Sequence, residues 1–141
     1  MPITNDMPIN KLQMTKVVFP ELSYKINGIL YKAHNELGRF CNEKQYGDFI
    51  EKLLKEEKIK YEREKILPES FDGEYKGRNK LDFIIDDKII LELKAKRVLP
   101  REDYYQARRY LEALNLKLAM LVNFRDKYLK PKRILNSKVR E

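Results

Sequence analysis

Tryptophan is absent from these 141 residues, histidine and cysteine occur once each, and glycine only five times. One cysteine, Cys41, leaves no partner for an intrachain disulfide, and with the single His34 it leaves no Cys/His cluster for zinc. Cys41 therefore reads as a small, partly buried hydrophobe. No apolar run approaches the roughly 20 residues that span a bilayer, and the N-terminal stretch lacks the apolar segment of a signal peptide. The expectation is a cytoplasmic protein with no membrane partner.

Charge, by contrast, is plentiful. Thirty lysines and arginines against 22 acidic residues give a net charge of +8 and a pI near 9.4, which favours a polyanionic partner. The distribution says more than the total. Lys94, Lys96 and Arg97 form one group, Arg108 and Arg109 a second, and Lys127, Lys130, Lys132 and Arg133 a third. At 141 residues the chain is one domain, large enough for a single core but not two, and with 43% hydrophobic residues it can fold.

Periodicity divides the chain into an arm, a domain and a tail. Residues 1–19 have no sustained pattern and read as a flexible N-terminal arm; residues 20–136 form the domain, and 137–141 a basic tail. From Glu21, apolar residues recur at helical spacing as far as Leu37, and Gly38 ends the run as a glycine beyond a helix would. A second helix follows, with Asn42 as N-cap and Gln45 completing a capping box. Lys58 to Leu67 reads as a strand, and Pro68 to Arg78 as a turn-rich connection. A hairpin spans 81–94, a helix about 102–114, a strand 117–124, and a short last strand lies around Arg133-Ile134-Leu135. This order makes a three-layer αβα sandwich around a mixed central sheet.

The hairpin holds the chemistry. Asp82, Glu92 and Lys94 interrupt two strongly apolar strands, and burying a lone charge costs several kcal/mol, about the usual desolvation penalty. Their joint use as a site for a divalent cation follows, with the lysine beside it. Side chains alternate along a strand, so Glu92 and Lys94 share a face. Asp82 meets them only if the turn is odd in length, as in an Asp86-Asp87-Lys88 loop that opposes Asp82 to Glu92. A two-residue turn would separate them. Hard carboxylate oxygens suit Mg²⁺ or Mn²⁺. Glu43 falls on the second helix's inward stripe, although a first-turn glutamate also suits the helix dipole. Gln106 and Tyr110 lie one turn apart on one helix surface.

Asp82 followed by Glu92-Leu93-Lys94 resembles the D…(D/E)XK signature of the PD-(D/E)XK nuclease superfamily, with Leu81 where the signature has proline. Gln106-x-x-x-Tyr110 is similar to a motif of RecB-like nucleases. Glu36-Leu37-Gly38, Glu43, Tyr46 and Leu121-Val122-Asn123-Phe124 complete a resemblance to the compact GxxExxR family. Phe40 stands where that family usually has a glycine, three residues before its glutamate.

The resemblance implies a restriction-endonuclease-like core and metal-dependent cleavage of nucleic acid, with DNA as the expected substrate. It makes Glu43, Asp82, Glu92 and Lys94 catalytic, and Asp82 and Glu92 metal ligands, with Glu43 and His34 as further candidates. Gln106, Tyr110, Lys96, Arg97 and Arg109 would support the site or contact nucleic acid. Competing expectations are a catalytically silent nucleic-acid-binding module of the same fold, or a subunit of a larger DNA-processing complex. A homodimer is a further expectation, since so small a domain offers little surface for selecting a sequence.

Overall fold

The structure is a computed structural model that describes residues 18–139. Most of the expected arm, residues 1–17, and the last two residues of the tail lie outside the described residues. Val18 and Phe19, assigned to the arm from sequence, belong instead to the core: Val18 is buried and Phe19 packs against the same cluster. Arg133 ties this segment down by donating to the Val18 carbonyl at 2.9 Å.

Two helices come first. Helix α1 (Pro20–Leu37) begins with proline, whose fixed φ suits the first turn. It ends at Gly38, where φ is +77° and the amide donates to the His34 carbonyl. Helix α2 (Glu43–Glu56) starts with the expected capping box. The Gln45 amide donates to Asn42 Oδ1 at 2.8 Å, and the Asn42 amide to Gln45 Oε1 at 2.9 Å.

The strands follow as β1 (Tyr61–Ile66), β2 (Lys80–Ile85) and β3 (Ile89–Lys94), then helix α3 (Arg101–Leu114), β4 (Leu118–Asn123) and β5 (Lys132–Leu135). They form one sheet in the order β1-β2-β3-β4-β5. Only the β3–β4 pair is parallel, and α3 makes the crossover between them. Every residue of β4 is buried, as befits a strand covered on both faces.

Two apolar clusters occupy the two faces. On one side α1 and α2 pack over Phe83, Ile85, Ile89, Leu91 and Leu93. On the other, Ala107, Tyr110 and Leu111 of α3 cover Leu81, Ile84, Ile90 and Leu121. The result is the αβα sandwich with a mixed sheet.

Strand β2 departs from simple alternation at one place. Leu81 and Phe83 are two residues apart and should share a face, yet they belong to opposite clusters. The reversal is centred on Asp82. On the neighbouring strand, Glu64 adopts φ +55°, a left-handed conformation that side-chain-bearing residues seldom take, and the β1–β2 pairing skips Glu64 and Asp82. The ladder is interrupted where the acidic residue sits.

The loop before α2 is held from within. Tyr46 stacks on Phe124 with ring centroids 4.1 Å apart, its hydroxyl donates to the Gly38 carbonyl, and the Cys41 amide donates back to it. The Asn42 cap fixes the other end. Asn42→Ala should lower stability by about 1 kcal/mol, the usual worth of an N-cap. Urea denaturation checks this; a variant as stable as the parent would show that the cap is redundant with the Tyr46 anchor.

Candidate active site

The hairpin turn decides whether the two carboxylates can meet. Ile85 pairs with Ile89, Ile84 with Ile90 and Phe83 with Leu91, so the loop is the three-residue Asp86-Asp87-Lys88. Asp86 and Asp87 both take positive φ, 53° and 55°, which acidic turn residues tolerate better than most. In this register Asp82 stands opposite Glu92.

Regular pairing stops there, and side chains take over. The Asp82 amide donates to Glu92 Oε2 at 2.8 Å, while the Leu93 amide donates to Asp82 Oδ2 at 2.7 Å. Each carboxylate thus satisfies a backbone N–H on the opposite strand, and the two reach across the gap between β2 and β3. Among the described residues, no hydrogen bond engages Asp82 Oδ1 or Glu92 Oε1.

Electrostatics marks this pair out. Glu92 is only 4% exposed. Burial first, and then the charge of Asp82, push its carboxyl from 4.5 to about 8, against the opposing pull of the Asp82 amide and Lys94. Asp82 is also raised, again by burial foremost, with the Leu93 amide and Lys94 pulling it down and Glu43 pushing it up. A buried carboxylate and a half-buried one beside it, both pushed toward the neutral form, make a site that favours a cation.

Lys94 is half-buried, and its charge favours the ionised form of both carboxylates. Its direct partner is Asp103 of α3, with Nζ 3.8 Å from Oδ1. Asp103 also binds Lys96, 2.8 Å from Oδ2. Asp103 is buried and was not singled out from sequence; its spacing of three from Gln106 was the available signal. The Lys96 side chain, expected to face nucleic acid, is engaged in that ion pair.

Asn123 at the end of β4 completes the frame. Its Oδ1 accepts from the Lys96 amide at 3.0 Å, and its Nδ2 donates to the Lys96 carbonyl at 2.8 Å. The Phe124 amide donates to the Lys94 carbonyl. The segment carrying Lys94 is therefore clamped on both sides.

Asp82 opens into a cleft of about 230 Å³, walled by Glu43, Lys44, Gly47, Arg63, Lys80 and Leu93 among others. Glu43 is exposed and not on the inward face of α2 as expected, yet it borders this cleft and its charge acts on both carboxylates. Arg63 lies against α2 in ion pairs with Asp48 and Glu51, 2.7 and 3.0 Å away. A β-carbon at Gly47 would collide with its guanidinium, so the glycine permits this close approach.

The other expected residues are placed differently. Tyr110 is buried under the sheet, its hydroxyl pKa raised by burial and by the charge of Glu92. Gln106 is half-buried, and no hydrogen bond joins it to the carboxylates among the described residues. Arg97 and Arg109 are exposed. His34 is not brought to the pair. Its Nε2 donates to the Asp126 carbonyl at 2.8 Å, which leaves only Nδ1 with a lone pair.

Among the described residues, no three His, Cys, Asp or Glu side chains converge as a ready ligand set. Two carboxylates with one uncommitted oxygen each nevertheless fit a hard divalent cation, which retains several waters and takes one or two protein carboxylates.

The shifted Glu92 makes a stability prediction. Its folded pKa of about 8 exceeds the ordinary 4.5, so the folded chain keeps a proton that the unfolded chain loses. The associated stability is present below about pH 4.5 and is lost as pH rises to about 8. In chelator, Glu92→Gln should resist unfolding better relative to the parent as pH climbs through this window. Parallel pH profiles in urea denaturation would contradict the assignment.

Among the described residues no helix is long and apolar enough to cross a membrane. No curated protein and no solved structure matches the chain. A family model does: that of the PD-(D/E)XK nuclease superfamily, over residues 20–134. The match runs from the first turn of α1 into β5 and takes in Asp82, Glu92 and Lys94. The chain belongs to the PD-(D/E)XK nuclease superfamily.

Proposed function

We propose that this domain is a nuclease of the GxxExxR type that hydrolyses phosphodiester bonds in DNA, with Mg²⁺ or Mn²⁺ held by Asp82 and Glu92. The observation that carries this reading is the carboxylate pair reaching across the β2–β3 gap with Lys94 beside it. Its setting supports it: a cleft with Lys44, Arg63 and Lys80 in its walls suits a substrate whose phosphates surround the bond to be cut.

When bound, the cation supplies Lewis-acid polarisation and a more acidic water. The protein's own groups do the rest. Asp82 and Glu92 would hold that cation at the open end of the hairpin, each through its uncommitted oxygen. Lys94 carries positive charge toward the oxygens that become negative as water attacks, and Asp103 with Asn123 keeps it aimed. Glu43 orders water from the cleft's opposite wall. Tyr110, beneath Glu92, keeps the back of the site dry. Lys94 is one of 30 basic residues, so it matters for rate far more than for total affinity.

Lys94→Ala should therefore cut supercoiled or linear DNA on the order of 10²–10³ times more slowly than the parent in Mn²⁺, while retaining most of the DNA affinity. Glu92→Gln should also abolish cleavage. The assay compares the parent and both variants, purified alike, on DNA and RNA, with and without chelator. Equal cutting by all three would place the activity elsewhere. A parent that binds DNA in a salt-sensitive way but cuts no substrate would favour the silent binding module.

A further inference from the structure

Phe40 occupies the loop between α1 and α2, where the resembled family has glycine, and it is 74% exposed. A single exposed aromatic is ordinary; its neighbours here are not. The Arg39 and Arg125 guanidiniums stand 5.1 and 5.4 Å from the centre of the same ring, within cation–π range. Arg39 Nε donates to the Arg125 carbonyl at 2.8 Å, and Arg125 Nε to the Arg39 carbonyl at 3.1 Å. The two loops are thereby locked together with like charges side by side.

Among the described residues neither arginine forms a salt bridge. Two guanidiniums held together without a carboxylate are a cost that an anion would relieve. The platform also adjoins the reaction site. Phe40 and Arg125 border a hollow of about 460 Å³ together with Glu43, Lys44 and Ala95. Glu43 and Lys44 also wall the cleft that holds Asp82, and Ala95 directly follows Lys94.

We infer that Phe40, Arg39 and Arg125 form a stacking platform for an unpaired nucleobase and its phosphate, so that the site takes single-stranded nucleic acid, or a single-stranded segment, beside the bond to be cut. The chemistry fits this partner. A π-face accepts any unpaired base, and guanidiniums supply both stacking planes and phosphate contacts. Bases inside a duplex are already stacked on one another and have no use for such a surface. The inference rests on the nuclease reading for its biological sense, but its test does not depend on cleavage.

The test is binding in chelator, read by fluorescence anisotropy with a labelled oligothymidylate and with a blunt duplex of equal length. Phe40 is mostly in solvent, so its truncation removes little packing. Phe40→Ala should weaken single-strand binding on the order of tenfold and leave duplex binding nearly unchanged, and Phe40→Trp should restore it. Because the chain has no tryptophan, Phe40→Trp is also a unique reporter, and its emission should be quenched when oligothymidylate binds. Unchanged single-strand affinity in Phe40→Ala, equal losses on both probes, or an unquenched Trp would overturn the platform. A parent that never cuts DNA but shows the predicted discrimination would leave the platform standing and remove the nuclease reading; cleavage with indifferent Phe40 variants would do the reverse.

Discussion

The exchange of hydrogen bonds between Asp82 and Glu92 governs the rest of the site. Two acidic side chains placed in apolar strands must find donors, and here each finds a backbone amide on the other's strand. That solution requires the strands to stop pairing after Phe83 and Leu91, because a regular ladder would occupy the same amides. The open end of the hairpin is thus a direct consequence of how the carboxylates are satisfied. It leaves each with one oxygen uncommitted, beside a lysine that α3 holds through Asp103.

Positive charge around the pair is itself restrained. Arg63 answers to Asp48 and Glu51, Lys94 and Lys96 to Asp103, and Lys80 to Glu64 at 3.2 Å. These ion pairs set the direction of each cation and temper the field, so the cleft is not a uniform basic patch. The Arg39–Arg125 pair is restrained differently: its hydrogen bonds go to carbonyl oxygens, and neither arginine forms a salt bridge among the described residues. Two positive charges of a chain with a net charge of +8 are thus held side by side at a specific place, beside an exposed aromatic ring.

Much of this was legible in the sequence because it depended on local rules. The capping box at Asn42, the Gly38 stop, the helix ending at Leu114 and the buried strand at 118–123 each follow from a few neighbouring residues. The requirement for an odd hairpin loop was also readable, from the need to oppose Asp82 to Glu92. The face reversal at Asp82 was not, because it depends on Glu64 of a strand nearly twenty residues earlier taking a left-handed conformation. Asp103 escaped notice because its partners, Lys94 and Lys96, come from another element. Glu43 was expected to point inward from its helical angle, but the first residue of a helix has no preceding turn to cover it. Phe40 was visible only as a departure from a family pattern; its meaning required Arg125 from the far end of the chain.

The proposed chemistry depends on Asp82 and Glu92 together holding one divalent cation between β2 and β3. Titration of the chelator-treated protein with Mn²⁺, followed by electron paramagnetic resonance of the free ion, tests it most directly. One site is expected in the parent, and loss of that site in both Asp82→Asn and Glu92→Gln, with both variants still folded. Stoichiometric Mn²⁺ binding that survives both substitutions would contradict it.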